Sequence, residues 1–165
     1  MSTGSSAVQH SRTAIRRLQK ELDEFQTSAQ HSTDVPLPNC EVRAESLDAW
    51  FIEFEGADNT VFAGERFVLR FVFPPDYPIE SPEVVFVPPN TPLHPHVYSN
   101  GHICLSILYD GWSPALTVRS ICLSILSMLS SATKKELPPD NERYVRTSIG
   151  RSPKRTRWDF HDDKV

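Results

Sequence analysis

The sequence predicts an α+β domain: an N-terminal helix, a four-stranded antiparallel meander, a long ordered loop carrying a cysteine, then C-terminal helices. Three features lead there. Apolar residues recur at helical spacing in two stretches, one near the N-terminus and one after residue 117. Between them, short runs alternate apolar and polar residues, the period of a strand with one buried face. Prolines, 14 in all, gather between Pro74 and Pro95, at Pro114 and at Pro138-Pro139, where they act as rigid turns and not as a low-complexity tract.

Residues 1–10 read as a mobile Ser/Gly/Thr tail and residues 11–149 as the folded core. Residues 150–165 read as a charged tail for which order and mobility both stand open. The first helix runs from Ser11 or Arg12 to about Ser28, with Ser11 as N-cap and Ile15, Leu18, Leu22 and Phe25 on one face. Val35 to Pro38 is extended, because proline restricts itself and the residue before it. Strands follow at Cys40–Ala44, Ala49–Phe54, Arg66–Phe73 and Glu83–Val87, with a turn at Gly56-Ala57-Asp58-Asn59 between the second and third. The short turns favour hairpins over crossovers. A long irregular stretch from Pro88 to Gly101 is rich in proline and aromatic residues and is expected to be ordered. A second helix spans Val118 to Ser130, capped by Thr117. With only Arg119 charged, it is covered on most sides. After Pro138-Pro139, a short helix begins at Asp140 or Asn141 and ends near Ile149.

Composition excludes several classes. A net charge of −4 gives no general pull toward nucleic acid. No window approaches the roughly 18 apolar residues that a membrane span needs, and the first ten residues lack the apolar core of a signal peptide. The cysteines, Cys40, Cys104 and Cys122, are three in number and widely spaced, which points away from a disulfide scaffold and toward a reducing compartment. The reading is an intracellular domain, cytoplasmic or nuclear. The basic run Arg151, Lys154, Arg155 and Arg157 is either a nuclear address or a solubilising tail.

The chemistry-bearing segment is His94-Pro95-His96-Val97-Tyr98-Ser99-Asn100-Gly101-His102-Ile103-Cys104, followed by Trp112-Ser113-Pro114. With Phe73-Pro74-Pro75-Asp76-Tyr77-Pro78 before it, this block resembles the active-site signature of the ubiquitin-conjugating enzymes, and the order of elements matches over Arg12 to Ile149. More narrowly, the same segment continued through Leu108, together with Pro138-Pro139-Asp140-Asn141, Tyr144-Val145-Arg146-Thr147, Trp158 and His161-Asp162-Asp163, is similar to the W-type branch of that family. Two positions depart from the wider pattern: His96 stands where most members have Asn, and Ser106 where many have Asp.

The resemblance implies an enzyme that accepts ubiquitin from an activating enzyme as a thioester on Cys104. It then delivers the acyl group to an amine, here the α-amino group of substrates with flexible N-termini. It implies no resident metal or organic cofactor, since ATP is used by the upstream enzyme. It places His94, Pro95 and Asn100 in the loop's architecture. Arg17, Lys20, Tyr77, Pro78, Ile79, Ser113, Pro114 and Ala115 become contacts for the activating enzyme and for RING or U-box ligases. Ile79 occupies a position where many relatives carry Phe.

A thiolate is a strong nucleophile, and its thioester is reactive toward amines. A free Cys pKa of about 8.5 leaves a useful fraction ionised without a dedicated base, which suits Cys104, adjacent in sequence to no Lys or Arg. Two roles stand for His96, as a donor to the tetrahedral oxyanion or as a brace for the loop. Two stand for Asp140, as an acid near the cleft or as a helix cap. An α-amine, with a pKa of about 7.7–8.0 against about 10.4 for lysine, is neutral a few hundred times more often at pH 7. It therefore needs less carboxylate assistance, and Ser106 is consistent with that.

Other readings compete. Zinc held by His94, His96, His102 and Cys104 is weakened by the want of a second Cys pair. A Cys-His protease, a non-catalytic ubiquitin-binding adaptor of the same fold and a lysine-directed or ubiquitin-like carrier are the remaining alternatives. Cys122 reads as core, Cys40 as inert, His94 as structural and Trp112 as packing beside the loop.

Overall fold

The computed structural model describes residues 9–31, 37 and 39–160. Helix α1 is Arg12–His31, strands β1 to β4 are Glu41–Ser46, Ala49–Glu55, Arg66–Val72 and Glu83–Phe86, and helices α2 and α3 are Val118–Ser130 and Asn141–Thr147. Two single 3-10 turns, Ser106–Leu108 and Pro153–Arg155, complete the order. The strands pair antiparallel in the order β1-β2-β3-β4, the expected meander. Most of the extended segment expected at Val35 to Pro38, like residues 1–8 of the N-terminal tail, lies outside the described residues. His10 is the exception at that end: its ring hydrogen-bonds the Phe73 carbonyl at 2.9 Å.

Strand register explains the core. Val42 faces Ile52, which faces Leu69, which faces Phe86. In the next row Ala44, Trp50, Phe71 and Val84 stand side by side. Because side chains alternate across a strand, every second residue of β2 and β3 is buried. Ile121, Cys122, Ile125, Leu126, Met128 and Leu129 of α2 join the same apolar cluster. Thr117 closes a full capping box with Ser120 at the start of α2, which fixes where this helix begins.

Helix α1 keeps most of its expected face: Leu18 and Phe25 are buried and Leu22 packs against the core, whereas Ile15 is 37% exposed and Ala14 takes the inner place. On the same side Glu21 is a carboxylate drawn inward by three donors. Arg17 Nε lies at 2.9 Å, the Val118 backbone N–H at 2.7 Å, and the Tyr77 hydroxyl also donates to it. A buried carboxylate is tolerable when its oxygens are so satisfied. Here it joins α1, the segment after β3 and the first turn of α2. Ser11 does cap α1, accepting from Ala14 N at 3.0 Å.

Among the described residues of the charged tail, 150–160 fold back along β4 and over the cysteine loop. Lys154 Nζ reaches Glu80 at 2.6 Å and the Ser81 carbonyl at 2.7 Å, and Ser152 Oγ donates to Glu83 at 3.1 Å. The charge of this stretch gave no hint of a docking place, because its partners lie some 70 residues away in sequence.

Candidate active site

Residues 94–104 form a compact hairpin with its own internal bonds. Val97 bridges Ile103, Tyr98 N–H bonds the His102 carbonyl at 2.9 Å, and Gly101 N–H bonds the Tyr98 carbonyl at 2.9 Å. Gly101 sits at φ +92°, a left-handed conformation open to glycine, and a Cβ there would lie 1.9 Å from the Phe86 carbonyl oxygen. That absence of a side chain lets the Gly101 carbonyl accept from Phe86 N at 2.9 Å, and so docks the hairpin on the end of β4.

The three loop residues assigned from the resemblance do structural work of different kinds. His94 is fully buried. Its Nδ1 accepts from His96 N–H at 2.9 Å and its Nε2 donates to the Met128 carbonyl at 3.2 Å, which ties the hairpin to α2. Burial first, then His96, pushes its pKa down to about 4, so the neutral ring is the working form. Asn100 bonds His102 N–H at 3.1 Å and Ser148 Oγ at 3.1 Å. Pro95 is half-buried between the two histidines. The His96 ring is buried at 9% exposure, and its backbone carbonyl accepts from Cys104 N–H at 2.8 Å.

Cys104 leaves this hairpin half-buried, with its S–H directed at the Asp159 carbonyl at 3.8 Å. Around it stands an aromatic wall. Tyr98 stacks on Tyr144 at 3.9 Å, and Tyr109 stacks on Trp158 at 5.1 Å and on Phe160 at 5.9 Å. Each tyrosine hydroxyl is engaged: Tyr98 with Asp140 Oδ1 at 3.0 Å, Tyr109 with the Ile103 carbonyl at 2.6 Å, and Tyr144 with both His102 Nδ1 at 2.7 Å and Thr156 Oγ1 at 2.8 Å. Burial is the first cause raising the pKa of all three, so the wall is neutral. His102, buried beside it, is held below its usual pKa by desolvation. Asp140 begins α3, but its side chain makes no capping bond. Its carboxylate serves Tyr98 instead and stands 4.0 Å from Arg143.

The other thiols are built differently. Burial, and then Glu41, pushes Cys40 up to about 11. Cys122 is fully buried, and desolvation raises it well above the ordinary thiol value. Among the described residues no three His, Cys, Asp or Glu side chains come together to hold a metal, and no helix is long and apolar enough to cross a membrane.

The residues expected to meet partner proteins divide. Lys20, Ile79, Ser113, Pro114 and Ala115 are exposed, Ile79 at 71%. Tyr77 is fully buried and Pro78 is buried too, so both shape that loop from beneath. Arg17 is mostly turned inward, donating to Glu21 and, at 2.9 Å, to the Leu116 carbonyl. Trp112 Nε1 bonds the Pro78 carbonyl at 2.9 Å and so clasps the two loops together, a firmer version of the packing role expected for it. Sequence reasoning missed Glu21, Tyr109 and Asp159. Trp158 and Phe160, large aromatics in an otherwise charged tail, were the one available signal that the tail docks.

Comparison with known proteins agrees with this geometry over nearly the whole molecule. The family model for ubiquitin-conjugating enzyme matches residues 17–161. The chain is 54% identical over 160 residues to the probable ubiquitin-conjugating enzyme E2 16 of Arabidopsis thaliana, covering 94% of this chain and 92% of that protein. It is 53% identical over 148 residues to the probable ubiquitin-conjugating enzyme E2 W-A of Danio rerio, covering 90% and 95%. The crystal structure of the ubiquitin-conjugating enzyme E2 UbcA1 from Agrocybe aegerita superposes with a TM-score of 0.77 at 43% identity, over 87% of this chain and 99% of that one. With a four-stranded meander, a cysteine-bearing hairpin and relatives above half identity across its length, the chain belongs to the ubiquitin-conjugating enzyme family and is an enzyme that transfers ubiquitin.

Proposed function

We propose that Cys104 carries ubiquitin as a thioester and passes it to the α-amino group at a protein N-terminus in preference to lysine. The observation that carries the first half is the contrast among the three thiols: Cys40 and Cys122 are raised by burial, whereas Cys104 stands at the mouth of an ordered hairpin. Its thiolate attacks the activating enzyme's thioester and that enzyme's thiol leaves. An amine nitrogen then attacks the new carbonyl, loses a proton, and the Cys104 thiolate departs. What supports the second half is the residue at position 106, Ser in place of a carboxylate, together with Asp140 Oδ1 accepting from Tyr98. An amine that is already neutral is the acceptor such a site suits.

In this reading His96 braces the loop, since its ring is buried and its carbonyl holds Cys104 N–H. Lys20, Ile79, Ser113, Pro114 and Ala115 form the face offered to the activating enzyme and to RING or U-box ligases. ATP is spent upstream, and no resident cofactor takes part. Action in the cytoplasm or nucleus goes with three cysteines that form no disulfide.

The test is charging with activating enzyme, ATP and ubiquitin, then single-turnover discharge. A thiol-reducible adduct of one ubiquitin forms on the wild type and is lost in Cys104→Ala. Discharge onto a peptide with a free N-terminus runs at least about tenfold faster than onto an N-acetylated, lysine-containing peptide, a fraction of the difference in neutral amine. An adduct on Cys104→Ala overturns the carrier assignment, and equal discharge rates overturn the α-amine preference.

A further inference from the structure

We propose that Ser152 is a phosphorylation site for a proline-directed protein kinase, and that its phosphate loosens the C-terminal segment and uncovers Cys104. The chain has four Ser/Thr-Pro pairs: Ser81-Pro82, Thr91-Pro92, Ser113-Pro114 and Ser152-Pro153. Kinases of this class seat the proline directly after the acceptor and favour a basic residue two positions beyond it. Ser152 alone is followed in that way, by Lys154 and Arg155, with Arg151 before it and Arg157 beyond. Arg151, Arg155 and Arg157 are exposed, whereas Ser81 is buried.

The position matters because of what Ser152 holds. Its hydroxyl donates to Glu83 Oε2 at 3.1 Å and accepts from Lys154 N–H at 3.2 Å. Two residues on, Lys154 is tied to Glu80 and the Ser81 carbonyl. These few bonds anchor the segment on the edge of β4. Its far end lays Trp158 on Tyr109 and the Asp159 carbonyl against the Cys104 thiol. No strand ladder supplements them, so the segment is one that opens locally at low cost. Ser152 is half-buried and Pro153 buried, which makes the opened segment the kinase's substrate.

In the transfer, Ser152 Oγ bonds to the γ-phosphorus of a nucleoside triphosphate. The bond from that phosphorus to its bridging oxygen breaks, the diphosphate leaves and the hydroxyl proton passes to the kinase. The proton lost is the one now donated to Glu83. In its place, a group of about −1.5 to −2 charge would have to sit against a carboxylate in contact range, with Glu80 on the same edge. Arg70 approaches the other Glu83 oxygen at 3.6 Å and blunts this repulsion without removing it. The closed arrangement loses population to the open one.

The full-length chain, incubated with a proline-directed kinase and ATP, is expected to take up phosphate at Ser152, located by peptide mass spectrometry and absent in Ser152→Ala. Iodoacetamide then alkylates Cys104 about fivefold faster than in the unmodified protein, which corresponds to about 1 kcal/mol of lost closure. Hydrogen exchange rises over residues 152–160. In Glu83→Gln, phosphate is still incorporated but the gain in alkylation disappears, because the repelling charge is gone. The proposal is overturned if Ser152 takes no phosphate, if phospho-Ser152 leaves the alkylation rate unchanged or slows it, or if the gain persists in Glu83→Gln.

Discussion

Both ring nitrogens of His94 are committed, one as acceptor from His96 and one as donor to Met128. Protonating Nδ1 would break the first bond and place a charge in a site with no exposure. The unfolded chain takes up this proton as pH falls through 6.5, but the folded protein resists until about 4. Protons therefore favour the unfolded state across that window. The stability that neutral His94 contributes is fully present above 6.5 and is lost as pH falls toward 4, an effect of about 3 kcal/mol. His102 is shifted in the same direction by its burial and adds to the slope. Urea unfolding at pH 7, 5.5 and 4.5 reads this directly. His94→Gln, which keeps an acceptor and a donor but cannot titrate, is less stable than wild type at pH 7, and the gap narrows as pH falls. A gap that stays constant from pH 7 to pH 4.5 would assign the acid sensitivity elsewhere. His94, read from the sequence as structural, thus acts as a strut between the hairpin and α2. The sequence showed its proximity to Cys104, and only the fold shows which way each nitrogen points.

Between elements, the hairpin's hold on β4 rests on Gly101, and two glycines with positive φ separate strain from collision. Gly150 has φ +71° with nothing within 4 Å of a built Cβ, so Gly150→Ala costs only the left-handed backbone penalty of about 1–2 kcal/mol. Gly101→Ala adds a clash with the Phe86 carbonyl and the loss of its bond to Phe86 N, and costs about 3 kcal/mol or more. Thermal denaturation of the two variants gives the comparison, and equal losses would show that the docking contact carries no weight. Most element boundaries were readable because their causes are local. The Thr117 capping box, the alternation in β2 and β3 and the Ser11 cap need no distant partner. What was not readable has non-local causes. Glu21 is buried on the inner side of α1 through a bond to Val118 N–H, 97 residues away, which no local pattern announces. The turns at Ser106–Leu108 and Pro153–Arg155 are too short to carry a period.

On the scale of the molecule the structure is a layered core with a strap. The continuous apolar cluster runs from α1 through the sheet to α2. Residues 150–160 add only an aromatic wall and a few polar ties, and of the helices it is α3 that leans on them. No residue of α3 is buried, and Tyr144 is held by Tyr98 and His102 on one side and by Trp158 and Thr156 on the other. Opening free energies should therefore be graded, highest in β2, β3 and α2 and lowest in the strap, with α3 between. Trp158→Ala removes the ring that stacks on Tyr109 and the indole bond to the Pro153 carbonyl at 2.9 Å, and leaves the sheet untouched. Native-state hydrogen exchange of this variant is expected to show faster exchange over residues 141–148 and 153–160, with protection in β2, β3 and α2 within about 0.5 kcal/mol of wild type. Cys104 alkylation should accelerate in parallel, because Asp159, whose carbonyl meets the thiol, directly follows Trp158 in the strap. If β2 and β3 lost protection together with the strap, the protein would be one cooperative unit in which exposing the thiol means unfolding the fold. If they hold, the molecule can bare its cysteine to a bulky partner at a small fraction of its total stability.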